Sequence, residues 1–226
     1  MLKLISSMAT RQLLVELASA WQQVSSVEVT IESVGGVDAA KRVQAGEAFD
    51  GVVLASDAID KLAAGGSVVA GSRVDLVNSS VAVAVKAGAP KPDISTEPAL
   101  RSAIESASTI GYSTGPSGVA LVRLFERWGI ADALQSRIVQ APPGVPVGTL
   151  VARGEVALGF QQLSELMSLD GISVLGTLPE AVSITTIFSA GTCAVSSQGE
   201  ALAGLLAFMA SPDAAPFKRR HGMDAV

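Results

Sequence analysis

The chain has 226 residues, 49% of them apolar and 16% charged, with a net charge of −5 at pH 7. That length allows one large domain or two small lobes, and the balance excludes disorder, which needs low hydrophobicity and high net charge. A negative chain also lacks the basic field that nucleic acid or an anionic membrane requires, so a small-molecule partner is expected, and an anionic one would need local backbone donors to overcome the overall field.

Leu2 to Ile5 reads as a strand that stops at Ser6-Ser7, followed by an amphipathic helix through Leu13, Leu14, Leu17, Ala18 and Trp21. Period-two alternation from Val27 to Ile31 predicts a second strand, ended by Gly35-Gly36 and followed by a helix from about Asp38. A third strand, Val52 to Ala55, precedes a helix over 57–63. Three strand–helix alternations in about sixty residues imply parallel βαβ units.

Ser79 to Gly88 is a continuous β run, and the Pro-rich stretch after it suits a lobe boundary. The pattern then restarts: helix 100–106, strand 109–112, helix 119–128, strand 138–139, helix 147–152, strand 156–160, a short helix from Leu163 and strand 172–175. A last β run, 184–195, precedes helices over 199–209 and 212–220. The expected architecture is α/β, with lobe 1 formed by 1–80 plus 190–226, lobe 2 by 84–182, and strands 79–86 and 184–192 as hinges.

In an open parallel sheet the ligand binds beyond the carboxyl ends of the strands, where the next helices begin. Four such turns are rich in small and hydroxyl residues: Ser6-Ser7-Met8-Ala9-Thr10, Val34-Gly35-Gly36-Val37-Asp38, Ser113-Thr114-Gly115-Pro116-Ser117-Gly118, and Gln161-Gln162-Leu163-Ser164. Each offers N–H groups at a helix start together with hydroxyl or amide side chains, a chemistry for anions without fixed cations. Helix capping accounts for any one of these turns alone. Asp50 and Asp57 flank the third strand as capping residues, and Arg11 and Arg73 are the cations that could reach a carboxylate.

The segment GYSTGPSG lacks the Lys-[Ser/Thr] of a phosphate loop, since Val119-Ala120 stand there, which argues against nucleotide hydrolysis. One cysteine, Cys193, in a small apolar setting, excludes an intrachain disulfide and reads as a buried hydrophobe. One histidine, His221, leaves little for a histidine-rich metal site or a Ser-His-Asp triad, and neither metal nor cofactor is expected. No apolar run reaches the ~20 residues of a membrane span. The N-terminus carries no secretory signal pattern, so the chain as written would be cytoplasmic.

SSMAT, SVGGVDAAKRVQAGEAFDGVVLAS, GYSTGPSGVALVRLFERWGI, ALGFQQLSEL and FMASPDAAPFKRRHG, in that order, resemble the molybdate-binding (ModA-like) branch of the type II periplasmic binding proteins over essentially the whole chain. The resemblance implies two Rossmann-like lobes joined by two crossing strands, a periplasmic location and the permease of an ABC transporter as partner, and a monomer is the default expectation. In that family two serines, second-lobe amides and a tyrosine surround the oxyanion. The matching positions fall near Ala9, at Gly36-Val37, near Ser117 and Gly144, and at Gln162, so two serines and the tyrosine are replaced.

A related branch is aconitate isomerase, which moves a double bond in a tricarboxylate. Gln161-Gln162 and the GPSG turn would suit carboxylate oxygens at least as well as molybdate. Such an isomerase needs a base that removes and returns a proton, for which Asp57, Tyr112 and Glu165 are candidates. The leading expectation is a solute-binding protein for an oxyanion or carboxylate held between two lobes, and the alternative is an isomerase on the same scaffold. A cytoplasmic sensor domain ranks third, since no helix-turn-helix segment precedes the first strand.

Overall fold

In a computed structural model that describes residues 1–142 and 144–226, strands and helices alternate along most of the chain. They are β1 (Leu2–Ser7), α1 (Arg11–Val24), β2 (Val29–Val34), α2 (Gly36–Gln44), β3 (Gly51–Ala55), α3 (Ser56–Ala64), β4 (Val74–Lys86), α4 (Glu97–Ser106), β5 (Ile110–Tyr112) and α5 (Pro116–Arg127). Next come α6 (Ala131–Leu134), β6 (Ile138–Gln140), α7 (Val147–Arg153), β7 (Leu158–Gln162), α8 (Leu163–Leu166), β8 (Ile172–Thr177), β9 (Thr185–Thr192), α9 (Gly199–Ala210), α10 (Ala215–Arg220) and β10 (Met223–Asp224).

The chain forms two compact units, Met1–Asn78 with Thr186–Val226, and Ser79–Thr185. In the first unit the strand order is β2-β1-β3-β9-β4. β2, β1 and β3 are mutually parallel along their pairings, and β9 runs antiparallel to β3. Period-two alternation divides the side chains between two cores. Leu2, Leu4 and Val53 pack with Leu13, Leu17, Leu202 and Leu206 on one face. Ile5, Val52 and Leu54 pack with Val43, Ile59 and Cys193 on the other. Helices cover both faces of β3, so all five of its residues are buried and it reads as an unbroken apolar run.

In the second unit β7, β5 and β6 are parallel, and β4 runs antiparallel to both β7 and β8. Val81, Val83 and Val85 of β4 enter a core with Phe125, Leu121 and Phe160. Ala82 and Ala84 face the opposite side, with Leu166. Close packing sets the position of α7. A Cβ built on Gly159 would lie 2.4 Å from Val151, and one on Gly111 3.2 Å from Val147. Only glycine at these two strand positions lets the helix lie so near the sheet.

Several boundaries differ from the sequence reading. β1 continues through Ser6-Ser7, because Ser6 keeps the ladder with Ser33. β2 lies two to three residues later than the alternation suggested, paired residue for residue with β1. β7 extends to Gln162 rather than ending at Phe160, since Val81 pairs with Gln162. Gln161 and Gln162 are therefore buried strand residues, and the turn expected at Gln161–Ser164 is a direct strand-to-helix junction.

Candidate functional site

Parallel pairing brings the carboxyl ends of β1, β2 and β3 to one edge of the first unit. Ser6 and Ser33 are register partners, and their hydroxyls lie 2.7 Å apart. Ser7 caps the 3-10 turn Met8–Thr10, its Oγ accepting from the Ala9 N–H at 3.2 Å. The Gly35-Gly36-Val37 turn adjoins it, for a Cβ on Gly36 would stand 3.9 Å from the Ser7 Cβ. No side chain caps α2, so the N–H groups of its first turn, through Val37, have no acceptor inside the helix. The structure thus gathers Ser6, Ser7, Met8, Gly35, Gly36 and Val37 at one edge. Ser6 is fully buried with its hydroxyl engaged by Ser33, a partner the sequence reading missed because it becomes visible only once the β1–β2 register is known.

The second unit has an edge of the same kind. β5, β6 and β7 end there together, and β4, running the other way, enters there with Ser79. The Ser113–Gly118 loop folds on itself: Ser113 Oγ lies 3.3 Å from Ser117 Oγ and accepts from the Gly115 N–H at 3.3 Å. A Cβ on Gly118 would stand 1.8 Å from the Ser113 carbonyl oxygen, so glycine there serves the close approach of two backbones. Thr114 is exposed on the same loop. Gly144 follows β6, on the loop whose Ala141 N–H donates to the Tyr112 carbonyl at 2.9 Å, and its φ of 78° requires the left-handed region.

The two glutamines hold separate hydrogen-bonded groups. Buried Ser79 donates its hydroxyl to Gln162 Oε1 at 2.9 Å. Gln161 accepts from the Gly148 N–H, in the first turn of α7, at 3.3 Å, and donates from Nε2 to Glu165 Oε1 at 2.8 Å. Ser79 and Gly148 are contributors that no local motif marks. Two of the helix-start donors expected to be uncommitted are engaged inside the protein, Ala9 by Ser7 and Gly115 by Ser113.

Among the three candidate bases, Glu165 stands apart. It is half-buried, and burial pushes its carboxyl up to about 7 against the downward pull of Gln161's donation. Asp57 is exposed beside Lys61, 3.6 Å away, and Tyr112 has its hydroxyl pushed up by burial, away from neutrality. Arg73 is held by Asp60 and Asp75 at 2.8 Å each, which removes it as a ligand cation. Asp50 accepts from the Lys3 N–H and from Ser196 instead of capping a helix. Among the described residues no group of three or more His, Cys, Asp or Glu side chains is arranged to hold a metal ion, and no helix is long and apolar enough to cross a membrane.

The family model of bacterial extracellular solute-binding proteins matches residues 2–224. An aconitate isomerase from a Pseudomonas species is 39% identical over 217 residues, which is 93% of this chain and 82% of that protein. The periplasmic molybdate-binding protein of Azotobacter vinelandii superposes with a TM-score of 0.81 at 20% identity, over 100% of both chains. A tungstate-binding protein of Desulfovibrio alaskensis gives 0.68 at 15% identity, over 95% of this chain and 92% of that one. At these identities the two structures speak for the fold.

Proposed function

The chain belongs to the bacterial extracellular solute-binding protein family, with its two-lobed type II fold, and from that premise we propose that it binds a small polycarboxylate and isomerises it as an aconitate isomerase does. Glu165 carries the proposal. A carboxyl titrating at about 7 is half ionised at neutral pH, so it takes a proton and gives it back with nearly equal ease. The 39% identical Pseudomonas aconitate isomerase supports the same reading.

Moving a double bond in a tricarboxylate needs one such group. The base removes a proton from the methylene carbon, the electron pair spreads over the allyl system and its carboxylates, and the same proton returns to the former vinylic carbon. Atoms and charge balance with no cofactor. Within the second unit, the hydroxyls of Ser113 and Ser117 and the N-terminal amides of α5 would be the donors for the substrate carboxylates and for the charge that develops on them.

The test is proton NMR of trans-aconitate with the protein at pH 7, where the cis isomer should appear with the wild-type protein and not with Glu165→Gln. Absence of conversion, with protein shown to be folded, refutes the enzyme reading. Capture without chemistry is the second reading, favoured by the family's description as solute-binding. A thermal-shift panel of molybdate, tungstate, sulfate, phosphate, citrate and aconitate separates the two, because a ligand of the folded state raises the melting temperature with its concentration over Kd. Stabilisation by tetrahedral oxyanions alone would favour capture of an oxyanion.

A further inference from the structure

We infer that Gln161 is a positioning residue that aims the Glu165 carboxyl, with the backbone N–H of Gly148 holding Gln161 in turn. The inference rests on the reading of Glu165 as the group that transfers the proton. A backbone N–H only donates, so the end of the Gln161 amide that meets Gly148 must be the oxygen, and the end that meets Glu165 must be the NH2. The amide therefore has one orientation, and Glu165 Oε1 always receives a hydrogen bond. Glu165 Oε2 makes no hydrogen bond among the described residues, which leaves it as the proton-transfer atom.

The packing keeps this relay in place. Gly111 and Gly159 admit α7 close to the sheet, and Gly148 faces Leu166, Leu169 and Ile172, where a Cβ would lie 2.5 Å from Leu169. Gln161 itself is buried at the end of β7. β4 meets α8 through Ala82 and Ala84, its charged residues Asp75 and Lys86 standing at the ends of the strand, and the other elements against α8 bring no competing charge. β7 reads LGFQQ, β8 reads ISVLGT and α8 carries only Glu165, while Arg153 at the far end of α7 lies 3.9 Å from Glu155. Gln161 is thus the one polar side chain from these elements bonded to the carboxyl, and its donation favours the ionised form.

The test reads Glu165 directly, by carbon-13 NMR of the carboxyl in the ligand-free protein, alongside the pH profile of kcat/KM. Gln161→Met keeps the length of the side chain and removes the donor. The Glu165 titration should then move upward by about one pH unit, the ionised fraction at pH 7 falling from about half to about a tenth. The acidic limb of kcat/KM should move with it, for a loss of about five-fold at pH 7 that is recovered towards pH 9. Gln161→Glu should instead make the two carboxyls share a proton and split their titration. An unmoved Glu165 titration in Gln161→Met overturns the inference.

If that variant does not fold, the wild-type protein decides: the Gln161 side-chain amide protons should shift along the Glu165 titration, and a flat response overturns the coupling. A wild-type protein with no isomerase activity, in which both titrations behave as stated, refutes the assigned reaction and supports the coupling of Gln161 to Glu165.

Discussion

Relative to the wild type, Glu165→Gln should gain stability as the pH rises and should lose the proposed isomerisation. In the unfolded chain the carboxyl ionises near 4.5, whereas in the folded protein it holds its proton to about 7. Between those values the folded state binds more protons than the unfolded state, so stability falls as the pH rises and the loss is complete above about 7. At about 1.4 kcal/mol per pH unit, that interval corresponds to a cost of up to about 3 kcal/mol. Glutamine keeps the acceptor for Gln161 and carries no charge, so the variant should equal the wild type below pH 4 and exceed it by up to about 3 kcal/mol at pH 8. In a chain of this length the difference is roughly 6–12 °C in melting temperature. Thermal melts of both proteins from pH 4 to 9 in one buffer series provide the assay, and subtracting one curve from the other cancels every group they share. A difference that does not change between pH 4.5 and 8 would refute the burial argument. Isomerisation by the variant should fall by about a hundred-fold or more.

Ser6→Ala should cost about 1 kcal/mol in urea denaturation, because it deprives Ser33 of its partner 2.7 Å away, and Ser6→Ala with Ser33→Ala should cost little more than the single change. Gly118→Ala puts a methyl 1.8 Å from the Ser113 carbonyl oxygen, so the loop must move. Thermal melting should show about 1–3 kcal/mol of destabilisation, and aconitate titration a weaker complex. Cys193 is buried with its thiol pushed up to about 12, so a disulfide reagent at pH 8 should label it only after denaturant is added; fast labelling of the native protein would contradict its placement in the core.

The α/β alternation was legible because apolar period and turn residues change together, as at Gly35-Gly36 and at Ser113–Gly118. The donor turns were legible for the same reason, since Ser, Gly and Pro stand where strands hand over to helices. The pairing was not. Ser33 is one alternating residue among several until β1 lies beside β2, and Ser79 looks like the polar start of a strand until β7 brings Gln162 to it. Glu165 was one of three equivalent candidates in the sequence, because the desolvation that raises its carboxyl comes from the packing around α8 and not from its neighbours in the chain. The strand end at β7 was set two residues early for a related reason. Glutamine is a poor apolar marker, yet it is accommodated here because each side-chain amide finds a buried partner.

The strand order of the first unit makes synthesis of the chain a timing problem. β9 lies between β3 and β4, but it is made about a hundred residues or more after either of them. Until residue 186 and those after it leave the ribosome, β3 has an open hydrogen-bonding edge, and α9, whose Leu202, Leu205 and Leu206 complete one core face, does not yet exist. The second unit, continuous from Ser79 to Thr185, has every strand it needs by then. Maturation should therefore run from the middle of the chain outwards, and a product truncated before β9 would present a sticky strand edge to chaperones and to other copies of itself.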